Sequence, residues 1–94
     1  MDVSKVAGKN SQHKVFLYTL STCVWCKMTK KFLKDNDVAF EYVDVDLCTE
    51  KEKEKIRDEI VSKSGDLTYP TAIIDDKKVV AGFRKDKLKE ALGI

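Results

Sequence analysis

A short β-type run that leads directly into a cysteine pair and a helical stripe constrains this chain more than any other feature. Residues 15–18 are apolar or aromatic and are bounded by polar residues, as in a buried strand. Cys23 and Cys26 come next, and the apolar residues around and after them recur at helical spacing. The pattern therefore predicts a strand that leads into a helix, with both cysteines in the first turn of that helix. The helical stripe consists of Trp25, Met28, Phe32 and Leu33.

The remaining patterns predict a second strand, a second helix, a hairpin and a third helix. Residues 40–45 begin by alternating apolar and acidic side chains like a strand, and Thr49 with Glu52 has the spacing of a capping box that starts a helix. Residues 71–74 and 79–81 flank a polar turn, which indicates a hairpin. The predicted order is β-α-β-α-β-β-α, an α/β fold with a four-stranded mixed sheet and helices on both faces. Gly65 is predicted to end the second helix and Asp86 to cap the last one.

Length and charge favour one small domain. The chain has 94 residues, of which 43% are hydrophobic, enough for one core and too few residues for two. We expect residues 14–94 to form this domain, and residues 1–13, which are polar and aperiodic, to be a flexible or weakly ordered extension. The net charge of +2 is evenly spread, and no apolar run approaches the roughly 18 residues of a membrane span. We therefore expect a cytoplasmic, monomeric protein that binds neither nucleic acid nor membranes.

The cysteine pair has the position of a redox-active site. Near neutral pH only a small fraction of an ordinary cysteine is thiolate, and a helix N-terminus stabilises that anion. Thr22 is predicted to cap the helix and Lys27 to add a positive charge one turn later, so both should stabilise a thiolate at Cys23, the predicted nucleophile. Cys26 lies on the same helical face and is predicted to resolve a mixed disulfide formed at Cys23. Trp25 is interpreted as an apolar docking surface for a partner, with an ordinary core aromatic as the alternative.

A metal site is the main alternative, because a Cys-x-x-Cys pair is half of many zinc and iron–sulfur ligand sets. Only Cys48 and His13 remain as further ligands of these types, which disfavours a zinc site within one chain. A cluster shared between two chains stays open, and so does a binding module with inert cysteines. We predict no bound cofactor or metal, only a redox-active disulfide between Cys23 and Cys26, and we interpret Cys48 as a structural thiol.

Three motifs occur at characteristic places among the predicted strands and helices. They are Cys23-Val24-Trp25-Cys26 after the first strand, Thr68-Tyr69-Pro70 before the third strand and the segment 82–86 at the start of the last helix. Together they resemble the glutaredoxin branch of the thioredoxin superfamily over residues 14–94. The resemblance implies the thioredoxin fold and thiol–disulfide oxidoreductase activity. It also implies that Pro70 follows a cis peptide bond, lies against the cysteines and exposes the preceding backbone to the substrate. The substrate-binding residues predicted in this way are Trp25, Thr68, Tyr69, Pro70 and Gly82.

The same motifs bear on the electron donor. Glutathione-using glutaredoxins resemble one another in a basic residue three positions before the first cysteine, a Thr-Val-Pro and a Gly-Gly. This chain has Leu20, Tyr69 and Ala81 at the differing positions, so one charge-assisted contact to glutathione is lost. Val24 and the segment 81–86 are more similar to NrdH-redoxins, which pass electrons from a thioredoxin reductase to ribonucleotide reductase. We therefore predict a thioredoxin-type reductase as donor, with glutathione as the alternative, and a disulfide-containing protein such as ribonucleotide reductase as substrate.

Overall fold

The protein folds into a mixed sheet with α-helices on both sides, as seen in a computed structural model that describes residues 3–94. In chain order the elements are β1 (Ser4–Val6), β2 (Val15–Thr19), α1 (Val24–Asp35), β3 (Phe40–Asp44), α2 (Glu50–Ser64), β4 (Thr71–Ile74), β5 (Lys78–Ala81) and α3 (Lys85–Leu92). A 3₁₀ turn, Val45–Leu47, joins β3 to α2. The strand order in the sheet is β1-β3-β2-β4-β5. Strands β2 and β3 are parallel, and the other neighbours are antiparallel.

Side-chain alternation along β2 divides the core into two layers. Val15 and Leu17 point to the side covered by α1 and α3, whereas Phe16 and Tyr18 point to the side covered by α2. The prediction that helices cover both faces of the sheet is therefore confirmed. The first layer also contains Phe32, Leu33, Ile74, Leu88 and Leu92, and the second contains Val43, Ile56, Ile60 and Ile73.

The prediction of a four-stranded sheet is wrong by one strand. The segment Ser4–Val6 forms β1 and pairs antiparallel with β3 at the edge of the sheet. Two of its three side chains are exposed, so its place depends on backbone pairing that leaves no apolar pattern in the sequence. Met1 and Asp2 lie outside the described residues. The division of the chain after residue 13, and the flexibility of the segment before it, stay predictions.

Helix boundaries follow the predictions at α2 and depart from them at α3. The capping box of Thr49 with Glu52 is present, and Gly65 ends α2 with a φ of +81°, a left-handed conformation that favours glycine. The prediction that Asp86 caps the last helix is wrong, because the N-cap is Arg84 and Asp86 lies inside the first turn. A carboxylate in that turn still interacts favourably with the positive end of the helix dipole.

Strand pairing brings three loops that are distant in the chain to one end of the sheet. Tyr18, near the end of β2, is opposite Thr71 at the start of β4, and Thr71 is opposite Ala81 at the end of β5. The loop from β2 to α1, the loop before β4 and the loop after β5 therefore meet. The Gly82 N–H donates to the Pro70 carbonyl at 2.7 Å and joins the last two of these loops.

Among the described residues, α2 is the longest helix, with 15 residues, and charged side chains predominate in it. No helix within residues 3–94 is long and apolar enough to cross a membrane. The cytoplasmic location and the monomeric state stay predictions.

Candidate active site

Cys23 occupies the N-cap of α1. Its backbone is extended, with φ −84° and ψ 119°, and its sulfur accepts a hydrogen bond from the Cys26 N–H at 3.2 Å. The prediction that Thr22 caps this helix is wrong, because the helix begins at Val24 and the Cys23 sulfur takes the place of a capping oxygen. A thiolate at this position receives a charge-assisted hydrogen bond from the backbone. Lys27 is exposed one turn later, and its predicted effect on that thiolate stays a prediction.

Cys26 lies deeper than Cys23 and is completely buried, with 0% of its surface exposed. Burial raises the pKa of its thiol well above the ordinary value, and a hydrogen bond with the Cys23 sulfur raises it further. The Cys26 N–H thus contacts the Cys23 sulfur, while only Cys23 is partly open to solvent. This asymmetry favours the predicted roles, nucleophile for Cys23 and resolving thiol for Cys26.

Trp25 presents an apolar surface between the cysteines. It is 58% exposed, so the alternative of a core aromatic is wrong. Its ring centroid lies 6.2 Å from that of Phe83, which in turn lies 6.5 Å from Phe32 of the core. Trp25, Tyr69, Gly82 and Phe83 line a pocket of about 280 Å³. Three predicted substrate-binding residues thus share one surface, and the sequence prediction missed Phe83 although it directly follows Gly82.

The Tyr69–Pro70 peptide bond is cis, as the family resemblance implied. Pro70 is buried, and Gly82, whose N–H donates to the Pro70 carbonyl, has a φ of +79°. Thr68 is half-buried, and its carbonyl accepts a hydrogen bond from the Thr71 hydroxyl. The hydrogen bond from Gly82 to Pro70 ties together the loops before β4 and after β5. Contact of the residues in these loops with a substrate stays a prediction.

A charged cluster between α1 and β3 is absent from the sequence predictions. The Lys30 ammonium lies 3.3 Å from Asp44 Oδ1, and the same oxygen accepts a hydrogen bond from the Thr19 hydroxyl at 2.7 Å. The Lys30 and Asp44 side chains are only 17% and 20% exposed. The Lys30 ammonium also lies 3.8 Å from the centroid of the Tyr42 ring. One signal for this cluster is present in the sequence, since Lys30 follows Cys26 by four residues and so shares its helix face.

The residues weighed as further metal ligands have other contacts. The Cys48 thiol donates to the Asp44 carbonyl at 3.7 Å and packs against the α2 side of the core, which fits a structural thiol. His13 Nδ1 lies 2.7 Å from Asp75 Oδ2. Within residues 3–94, no group of three or more His, Cys, Asp or Glu side chains is placed to hold a metal ion. None of the three cysteines forms a disulfide.

Comparisons with known proteins agree with this arrangement. The glutaredoxin family model matches residues 15–79, a range that contains both cysteines of the pair and Pro70. Glutaredoxin 1 of Rickettsia conorii is 36% identical over 67 residues, which cover 71% of this chain and 63% of that protein. The similarity thus spans less than two thirds of the length of this relative.

Two solved structures are similar over most of the chain. The glutaredoxin of Methanosarcina mazei Go1 is 42% identical, with a TM-score of 0.89, and the match covers 98% of this chain and 88% of that one. Methanosarcina acetivorans methanoredoxin is 44% identical, with a TM-score of 0.85, over 93% of this chain and 90% of that one. These similarities support a thioredoxin fold and a thiol–disulfide redox role for the pair of Cys23 and Cys26. The chain belongs to the glutaredoxin family.

Proposed function

We propose that this protein reduces disulfide bonds in other proteins, with Cys23 as the nucleophile and Cys26 as the resolving thiol. The observation that carries this proposal is the unequal burial of two cysteines that are joined by the hydrogen bond from the Cys26 N–H to the Cys23 sulfur. Cys23 is partly exposed at the N-cap of α1, whereas Cys26 is completely buried in the following turn. A substrate disulfide therefore meets the Cys23 sulfur first.

The proposed cycle transfers two electrons. The Cys23 thiolate attacks one sulfur of the substrate disulfide, so that a mixed disulfide forms and the other substrate sulfur leaves as a thiolate. Cys26 then loses its proton and attacks the Cys23 sulfur, which releases the second substrate thiolate. Both substrate sulfurs take up protons, and the protein is left with a disulfide between Cys23 and Cys26. An external donor of two electrons restores the dithiol.

We further propose a thioredoxin-type reductase as that donor. Leu20 stands where glutathione-using relatives are expected to have a basic residue, and it packs against the α2 side of the core. It therefore offers no charge to a glutathione carboxylate. The pocket at Trp25, Tyr69 and Gly82 has a volume of about 280 Å³, which keeps glutathione as the alternative donor. Ribonucleotide reductase stays a predicted substrate.

Two single substitutions test the roles of the cysteines, with insulin as a model protein disulfide. Cys26→Ser should form a stable mixed disulfide on Cys23, because the thiol that resolves it is gone; mass spectrometry detects this adduct. Cys23→Ser should abolish reduction of insulin. Cys48→Ser is the matched control and should retain the activity of the unmodified protein. Insulin reduction by Cys23→Ser at an undiminished rate would contradict the assignment.

The donor is identified by reducing the oxidised protein in two parallel reactions. One contains thioredoxin reductase and NADPH, and the other contains glutathione, glutathione reductase and NADPH. We expect faster NADPH consumption in the first reaction. Faster consumption in the second would establish glutathione as the donor and leave the roles of Cys23 and Cys26 unaffected.

A further inference from the structure

The ion pair between Lys30 and Asp44 lies where the desolvation of its two charges costs free energy. Both side chains are largely shielded from solvent, and a shielded ion pair loses much of its attraction to the cost of removing two charges from water. Such a pair is therefore weak evidence for a contribution to stability. Shielded charges next to a reacting group are, in contrast, a common way to adjust its ionisation.

The position of this pair relative to Cys26 follows from two elements. Lys30 lies four residues after Cys26 in α1, so both side chains project from the same face of the helix toward the sheet. Asp44 is the last residue of β3, and its register partner in β2 is Thr19. The chain continues from Thr19 to Leu20, whose carbonyl accepts a hydrogen bond from the Cys23 N–H at 3.2 Å. The ion pair thus lies beside the buried end of the Cys23–Cys26 pair.

We propose that Lys30, held in place by Asp44 and Thr19, supplies the positive charge that stabilises the Cys26 thiolate while it resolves the mixed disulfide. The proposal rests on the disulfide-reducing function proposed above. Lys30 acts on the reacting sulfur through its charge, and Asp44 and Thr19 are positioning residues.

In the step concerned, the Cys26 thiol gives its proton to solvent and its sulfur bonds to the Cys23 sulfur. The bond between Cys23 and the substrate breaks, and the substrate leaves as a thiolate that takes a proton from solvent. Before this step, burial raises the pKa of the Cys26 thiol well above its ordinary value, so ionisation is the unfavourable part. The backbone of Leu20 and, to a smaller extent, the charge on Lys30 act in the opposite direction and lower this pKa.

Three charged or titratable groups act on Cys26, and a fourth pairs with one of them. Cys23 and Lys30 share α1 with Cys26, and Tyr69 interacts with it from the loop before β4. Asp44 of β3 pairs with Lys30. In the mixed disulfide the Cys23 sulfur carries no charge. Burial raises the pKa of Tyr69, so its phenol is neutral at neutral pH. Lys30 and, through it, Asp44 are then the charged groups that affect the ionisation of Cys26, and Lys30 is the one that shares its helix face.

The test separates the two chemical steps in a single turnover. Reduced protein, in a Cys48→Ser background, is mixed in a stopped-flow instrument with the chromogenic disulfide dithiobis(nitrobenzoate). Attack by Cys23 releases one coloured thiolate, and attack by Cys26 releases the second. Lys30→Met should slow the second release about tenfold at neutral pH and displace its rate–pH profile upward by about one unit. The first release should keep its rate.

The controls distinguish charge from structure. Lys30→Arg keeps the charge and should retain the rate of the second release. Lys31→Met removes an exposed lysine that pairs with Asp35 at 2.7 Å on the same helix, and it should leave both releases unchanged. The double variant Lys30→Met with Asp44→Asn leaves no shielded charge unpaired, so it maintains the fold and should still resolve more slowly than the parent protein.

Two results would overturn the role of Lys30. One is an unchanged rate–pH profile of the second release in Lys30→Met and in the double variant. The other is an Arg variant that is as slow as the Met variant. A parent protein that releases no second thiolate at all would instead contradict the proposed disulfide-reducing function.

Discussion

The ionisation of one side chain, Tyr18, makes the stability of the folded protein depend on pH. Tyr18 is buried on the α2 side of β2, and its hydroxyl donates to Glu59 Oε2 at 2.6 Å. Burial, followed by this hydrogen bond, raises the pKa of Tyr18 well above its ordinary value of about 10. The unfolded chain therefore loses this proton at a pH at which the folded protein still holds it.

The sign of the effect on stability follows from that difference. The contribution of Tyr18 to the free energy of unfolding is fully present below about pH 10 and declines as the pH rises further, because ionisation then stabilises the unfolded state. We expect Tyr18→Phe to lower the free energy of unfolding by about 1 kcal/mol near neutral pH, through loss of the hydrogen bond. This gap between the free energies of unfolding of the two proteins should narrow above about pH 10. Urea titrations of both proteins across this range measure it, and a constant gap would contradict the prediction.

The cysteine residues themselves show what a sequence reveals and what it leaves open. The spacing of Cys23 and Cys26 before a helical stripe predicted their shared turn, and the structure has that turn. The capping group was predicted wrongly as Thr22, because the choice depends on where the turn after β2 places the first helical residue. The Cys23 N–H closes that turn onto the Leu20 carbonyl at 3.2 Å, which leaves the sulfur in the capping position. The presence of the Thr22 hydroxyl one residue earlier in the sequence does not indicate which of the two side chains caps the helix.

At the scale of elements, the start of α2 is the clearest local signal in the chain. The Thr49 side chain accepts a hydrogen bond from the Glu52 N–H at 3.2 Å, and the Thr49 N–H donates to the Glu52 carboxylate at 3.0 Å. Both partners lie within four residues, so the sequence alone was sufficient to predict them. The pair of Lys30 and Asp44 was not predictable in this way, because it depends on the register between β2 and β3.

Thr49 and Thr22 allow a matched comparison between a threonine that caps a helix and one that does not. Thr49→Ala should lower the free energy of unfolding by about 1 kcal/mol, the usual effect of losing an N-cap. Thr22→Ala should change it by less than about 0.5 kcal/mol, because Thr22 is exposed and does not cap α1. Urea midpoints of the two variants and the parent protein measure the difference. A loss at Thr22 as large as the loss at Thr49 would show that Thr22 supports α1 after all.

At the scale of the whole molecule, Gly8 packs the segment that follows β1 closely against the backbone that precedes β3. A Cβ at Gly8 would lie 2.6 Å from three backbone atoms, which belong to Asp37, Val38 and Ala39. The neighbouring Asn10 is bound on both sides, with its N–H on the Asp37 carbonyl and its carbonyl on the Ala39 N–H, each at 2.9 Å. Backbone atoms have little room to move aside, so this contact requires glycine.

Gly8→Ala should therefore destabilise the protein by about 1–3 kcal/mol, the usual cost of overpacking. The contact precedes β3, whereas the cysteine pair lies at the other end of the parallel strands β2 and β3, so alkylation of Cys23 should keep its rate. Urea unfolding and iodoacetamide labelling measure the two quantities. Lys9→Ala, at an exposed neighbour, is the control and should affect neither. Unchanged stability of Gly8→Ala would show that the segment moves away from β3 at no cost.

The edge position of β1 has a consequence for how copies of this protein meet. Without β1, the outer side of β3 would present five residues of unpaired backbone with Phe40 and Tyr42 among them, an open template for a strand of another molecule. With β1 in place, the edge is only three residues long and carries an exposed Lys5. Short, charged edges resist strand-by-strand growth of one sheet onto another. Three residues with almost no core of their own thus protect this edge of the sheet from pairing with a strand of another molecule.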